Sequence, residues 1–85
     1  MYFVYVLLSE KNHKRYIGYT GKNPRTRLAE HTNGSNRFTS QNGPFKLVYT
    51  EDFQEKYSAI LREKFLKSGQ GRKFLDSILK HGPLA

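Results

Sequence analysis

Residues 4–20, VYVLLSEKNHKRYIGYT, decide the fold: two apolar runs rich in aromatic and β-branched residues flank a polar turn. This is the pattern of a β-hairpin. Tyr2 to Leu8 is apolar at successive rather than alternate positions, so the first strand needs cover on both faces and belongs at the centre of a sheet. Glu10-Lys11-Asn12-His13 makes the turn, and Arg15 to Thr20 returns as the second strand. A four-residue loop sets Ser9 opposite Lys14 and Tyr5 opposite Gly18, which puts Tyr5, Leu7, Tyr16 and Gly18 on one face. Gly18 has no side chain, so open space is expected above the Tyr5 phenol and Gly18 is a candidate substrate contact.

Beyond the hairpin, Gly21-Lys22 turns the chain, Asn23 suits a helix N-cap and Pro24 suits the first helical position. The helix runs through His31 and ends near Asn33-Gly34. Arg27 and His31, four residues apart, share one of its faces. Ser35 to Pro44 is a polar loop whose hydroxyl and amide groups, with Arg37, suit phosphate contact; Arg37 and Thr39 are its candidates.

Lys46 to Phe53 reads as a third strand, and Glu51-Asp52 are expected to cap the helix that follows. That helix, Glu55 to Lys67, is expected to turn Tyr57, Ile60, Leu61 and Phe65 inward. Glu63 stands beside the stripe among Ala59, Ile60, Leu66 and Lys67, so its carboxylate is expected to be half-buried and in need of a partner. Lys67 can supply a weak ion pair; a metal ion is the functional alternative. Ser68-Gly69-Gln70-Gly71 is expected to break the helix. A third follows from Arg72 to His81, with an apolar stripe of Phe74, Leu75, Ile78 and Leu79 and with Arg72, Lys73 and Lys80 outside, ended by Gly82-Pro83. The order β-β-α-β-α-α makes an α/β fold of the α+β type, a three-stranded antiparallel sheet flanked by about three helices.

At 85 residues, one domain over 1–85 is expected, with a core drawn from most of its aromatic and aliphatic residues. It has no cysteine, which removes disulfides and thiolate zinc sites. No apolar run approaches the ~20 residues that span a bilayer, and the N-terminus lacks the pattern of a secretion signal, so a cytoplasmic, non-membrane protein is the expectation. Fifteen Lys and Arg against seven Asp and Glu give a formal charge of +8, a balance that attracts polyanions and nucleic acid first.

Val4-Tyr5-Val6, then Tyr16-Ile17-Gly18, then Arg27, His31 and Glu63 in that order, together with the element order, resemble the GIY-YIG nuclease family. The likeness covers nearly the whole chain and is nearest the small single-domain bacterial group similar to the nuclease domain of an excinuclease subunit. The resemblance implies divalent-metal-dependent hydrolysis of DNA phosphodiesters, with RNA left open as the alternative substrate. The ion is magnesium or manganese, held by Glu63. Tyr5 matches the tyrosine that helps activate the attacking water, Tyr16 the one that positions water or phosphate, and Arg27 the arginine that stabilises phosphate charge. His31 falls where the family places histidine or tyrosine, close to the general base. Val4 and Val6 replace the family's glycine and isoleucine. Tyr19 replaces a frequent lysine, whose phosphate contact falls to Lys22. No asparagine follows Glu63, where many relatives have one.

A tyrosine titrating near ~10 is about 0.1% ionised at neutral pH, so Tyr5 cannot act as a base unaided. A metal and Arg27 are expected to favour its phenolate, with His31 taking the proton onward. Weak sequence specificity and a preference for single strands, flaps or ends are expected, because binding rests on a basic surface. Two alternatives stand beside the nuclease: a noncatalytic nucleic-acid-binding module, and a subunit of a repair or recombination complex with a protein partner or a second copy.

Overall fold

A computed structural model of the chain describes residues 1–32 and 41–79, the side chains of 31 and 32 excepted. Its elements run β1 (Tyr2–Ser9), β2 (Arg15–Thr20), α1 (Pro24–Thr32), β3 (Phe45–Phe53), α2 (Lys56–Lys67) and α3 (Gly69–Leu79). The strands form one antiparallel sheet in the order β2-β1-β3, so the doubly apolar β1 is central, as its sequence requires.

Alternation along β1 divides the core in two. Val4 and Val6 pack against Ala59, Leu66 and Leu75 of α2 and α3, whereas Tyr5 and Leu7 pack with Phe45, Tyr16, Leu28 and Leu47 on the α1 side. The β1–β3 register slips between Val6, paired with Tyr49, and Leu7, paired with Leu47. Val48 is the extra residue of the resulting bulge. The slip lets Val48 and Tyr49 both serve the α2–α3 side while Leu47 and Phe45 keep to the other.

The hairpin register is the expected one, with Tyr5 opposite Gly18 and the N–H of Ser9 donating to the carbonyl of Lys14 at 2.8 Å. Ser9, fully buried, fixes the turn. Its Oγ accepts from the N–H groups of Lys11 and Asn12, both at 3.1 Å, and donates to the carbonyl of Asn42 at 2.6 Å. At α1 the N-cap is also as expected: Asn23 Oδ1 accepts from the N–H of Arg25 at 2.8 Å.

Three expectations are corrected. Glu51 and Asp52 do not cap α2: β3 continues through Phe53 and the N-cap residue is Glu55, which makes no side-chain cap bond. Glu51 instead receives Arg62, Nε to Oε1 at 2.8 Å and Nη2 to Oε2 at 2.9 Å, together with the hydroxyl of Tyr49. The inner face of α2 is also different. Tyr57 and Leu61 are 68% and 48% exposed, while Ala59 and Leu66 are buried. Arg62 causes the rotation, because Glu51 neutralises it and the rings of Phe65 and Phe74 lie 4.9 and 5.0 Å from its guanidinium carbon. Finally, Gly71 does not break a helix but lies buried within α3. A Cβ there would stand 2.0 Å from the carbonyl oxygen of Phe65 and 2.4 Å from Leu66 Cα, so glycine permits the close approach of α2 and α3. Phe74, Leu75, Ile78 and Leu79 face the core as expected; Lys80 and the end of this helix lie outside the described residues.

Candidate active site

The α1 face of the hairpin gathers the first candidates. Tyr5 and Tyr16 come from paired strands, their ring centroids 6.3 Å apart and their planes 29° from parallel. The Tyr5 phenol crosses directly over Gly18: a Cβ on that glycine would stand 2.6 Å from the hydroxyl oxygen and 2.8 Å from Cζ. The open space expected above the phenol is therefore filled by the phenol itself. Gly18 is buried and makes room for Tyr5, rather than presenting a surface to substrate.

Helix α1 places Arg27 over this pair. Its guanidinium is near enough to the Tyr5 phenol to lower that group's pKa, and through Nη1 it donates to Glu30 Oε1 at 2.8 Å. The other oxygen of Glu30 accepts from Lys22 Nζ at 2.7 Å. Lys22 and Arg27 thus share one carboxylate, and their hydrogen bonds hold Glu30 below the usual carboxylate range, Lys22 first and Arg27 second. Glu30 in turn raises the Arg27 pKa. Sequence reading missed Glu30, although its spacing of three from Arg27 on one helix was a usable signal.

Burial pushes the Tyr5 phenol up to about 12; the neighbouring Tyr16 adds to this, Arg27 opposes it through charge and hydrogen bond, and the charge of Glu63 raises it further. The expectation that Arg27 favours the phenolate is correct in sign but loses to desolvation. Glu63 stands on α2, and its charge is the smallest of the influences felt at Tyr5. Its side chain is only 18% exposed, as expected of a carboxylate among apolar neighbours, and its ion pair with Lys67 Nζ spans 3.7 Å, too long for a hydrogen bond.

Tyr5, Tyr16, Arg27 and Glu63 are thereby electrostatic neighbours drawn from four elements, with Lys22 joined through Glu30. His31 falls on α1 one turn beyond Arg27, but its side chain, like the candidates Arg37 and Thr39, lies outside the described residues.

Comparison with known proteins gives the same frame a family. Residues 1–74 match the GIY-YIG catalytic domain. The chain belongs to the GIY-YIG family. It is similar to a UPF0213 protein of Clostridium perfringens, 40% identical over 68 residues that cover 79% of this chain and 71% of that one. A UPF0213 protein of Natronomonas pharaonis is 41% identical over 68 residues, 79% of this chain and 78% of its own. The solution NMR structure of a UPF0213 protein from Bacillus halodurans shares the fold, with 35% identity, a TM-score of 0.55 and coverage of 99% of this chain and 90% of that one. Membership of the GIY-YIG family supports a nuclease-type function and a nucleic acid substrate. Among the described residues, no helix is long and apolar enough to cross a membrane.

GIY-YIG nucleases generally use divalent metal ions. Among the described residues no three His, Asp or Glu side chains converge, so a cage built wholly from protein ligands is absent there. Glu63 nevertheless fits an ion as a single ligand. Its carboxylate is sheltered, makes no short hydrogen bond to Lys67, and its negative charge is felt at Tyr5. One carboxylate is enough for a hard cation that keeps most of its waters and takes a substrate phosphate oxygen.

Proposed function

We propose that this chain is a divalent-metal-dependent DNA endonuclease that hydrolyses phosphodiester bonds with weak sequence specificity, favouring strands that are unpaired, flapped or ended. What supports the reading is the stack of Tyr5 on Tyr16, with the charges of Arg27 and of the sheltered Glu63 carboxylate both felt at the Tyr5 phenol. Magnesium, or manganese in its place, held by Glu63 supplies Lewis-acid polarisation of the phosphodiester.

The chain's own residues supply the rest. Arg27, a permanent cation tied to Glu30 and near Tyr5, can meet the negative charge that builds on the phosphate. Tyr5, with its pKa near 12, is about one part in a hundred thousand ionised at neutral pH, so in the free protein it serves as a hydroxyl that orients water and not as a standing base. Tyr16 stacks beside it and fixes its ring. His31, one helical turn from Arg27, is the residue whose ordinary titration range suits the onward transfer of the proton. Lys22, Arg37 and Thr39 are proposed to contact the substrate backbone, and the surplus of basic residues makes binding salt-sensitive.

The test is cleavage of end-labelled single-stranded, duplex and flap DNA in magnesium, manganese or chelator. The reading requires cleavage that chelator abolishes and that Tyr5→Phe and Arg27→Ala reduce while binding persists. Binding with no cleavage in any metal would instead identify a noncatalytic nucleic-acid-binding module.

A further inference from the structure

Beside the candidate active site, between β2, α2 and α3, the surface opens into a cavity of about 750 Å³. Ile17 and the ring of Tyr16 give it a partly exposed apolar wall, with Leu66 and Leu75 fully buried beneath, and Lys14, Arg15, Lys67 and Arg72 give it a cationic border; no lining residue is acidic. Two of its members belong to the active-site cluster or touch it. Tyr16 lines the cavity and stacks on Tyr5, and Lys67 lines it and pairs with Glu63. Arg15 is pinned by Asp76 at 2.6 Å. Lys14 and Arg72 are exposed, and neither forms a side-chain ion pair among the described residues.

An apolar wall with a cationic border matches neither a metal ion, which needs oxygen ligands, nor a purely apolar ligand, which has no use for the charges of Lys14 and Arg72. It matches a molecule with a flat apolar part and an anionic one. A nucleotide is such a molecule, with the base for the walls and the phosphates for the Lys and Arg groups. In a duplex the base is stacked and paired and cannot enter a concavity; an unpaired base can.

We infer that this cavity takes an unpaired DNA nucleotide from the strand that runs past the site, seating its base against Ile17 and the ring of Tyr16 and its flanking phosphates on Lys14 and Arg72. The inference rests on the nuclease reading for its choice of DNA, and it gives the preference for unpaired strands a physical device.

The test measures binding by fluorescence anisotropy in chelator, where cleavage plays no part. Three labelled DNAs are compared: a blunt duplex, the same duplex with a short unpaired extension, and that duplex with an extension of abasic sugar-phosphate. The abasic extension carries the same charge without the bases. The intact extension should bind about tenfold more tightly than the abasic one. The Lys14→Ala/Arg72→Ala double variant should lower the slope of log affinity against log salt for the extension by about 1.4, two single-strand phosphate contacts. Lys56→Ala/Lys64→Ala, which removes the same charge from exposed positions of α2 outside the cavity, should leave most of that slope. Equal binding of intact and abasic extensions, or equal losses in the two double variants, would overturn the inference. Failure of cleavage in every metal with the extension preference intact would overturn the nuclease reading alone.

Discussion

At the scale of single residues, the site turns on a glycine making room for a tyrosine. Gly18→Ala forces a methyl group to within 2.6 Å of the Tyr5 hydroxyl, so the ring must move. The expected result is a stability loss of about 1–3 kcal/mol in urea unfolding and a fall of roughly 10²-fold in cleavage rate, because the phenol no longer meets Arg27 in register. Tyr5 also gives the stability curve an alkaline limb. Its folded pKa is raised above the unfolded value of 10.0 to about 12, so the folded state holds a proton that the unfolded chain gives up. Stability is complete below pH 10 and declines as pH rises toward 12, by roughly 3 kcal/mol. Unfolding of wild type and Tyr5→Phe across that window checks it, since the variant should lose this part of the slope. The pairing of Tyr5 with Gly18 was legible from loop length and alternation. The occupied space over Gly18 was not, because alternation gives the face on which a side chain lies and not the direction in which its ring leans.

At the scale of elements, the strands and α1 were readable because each carries a local signal: a doubly apolar run, a polar turn, an Asn-Pro start. The helices α2 and α3 were misread where a long-range partner decides the outcome. Arg62 faces inward because Glu51, eleven residues earlier on β3, is there to receive it, and Gly71 is helical because another helix lies against it. Gly71→Ala is therefore expected to destabilise, despite alanine's better helix propensity, by about 2–4 kcal/mol, since the methyl meets backbone that cannot yield. Thermal unfolding measures it. The Glu51–Arg62 tie has its own pH signature. Burial pushes Glu51 upward, but the hydrogen bonds from Arg62 and Tyr49 outweigh it and leave its pKa depressed. Its contribution is thus full above the ordinary carboxylate range and is lost as pH falls through the depressed folded value. Glu51→Gln should flatten that acid limb in urea unfolding, and an unchanged acid limb would show that the tie carries no such energy.

At the scale of the whole molecule, a sheet covered on both sides lets one small chain separate its tasks. The α2–α3 side builds the larger core, and the α1 side holds Tyr5 and Tyr16. Glu63 connects them from α2 through a charge felt at Tyr5. The order Tyr5, Tyr16, Arg27, His31, Glu63 is legible in the sequence, and the family match over residues 1–74 spans all five positions. The i,i+3 spacing of Glu30 from Arg27 signalled a pair, but not that the same carboxylate also holds Lys22 from beyond the helix. On the proposed reading, the net charge of +8 carries affinity through broad electrostatics, and cleavage is the task of the few groups around Tyr5.

The most direct test of that division is the single-turnover cleavage rate of a labelled DNA extension in magnesium, with wild type and Glu63→Gln both saturated with substrate. The account predicts that Glu63→Gln binds DNA within about twofold of wild type yet cleaves it at least ~10²-fold more slowly. Equal cleavage rates in the two proteins would contradict it and remove Glu63 from the chemistry.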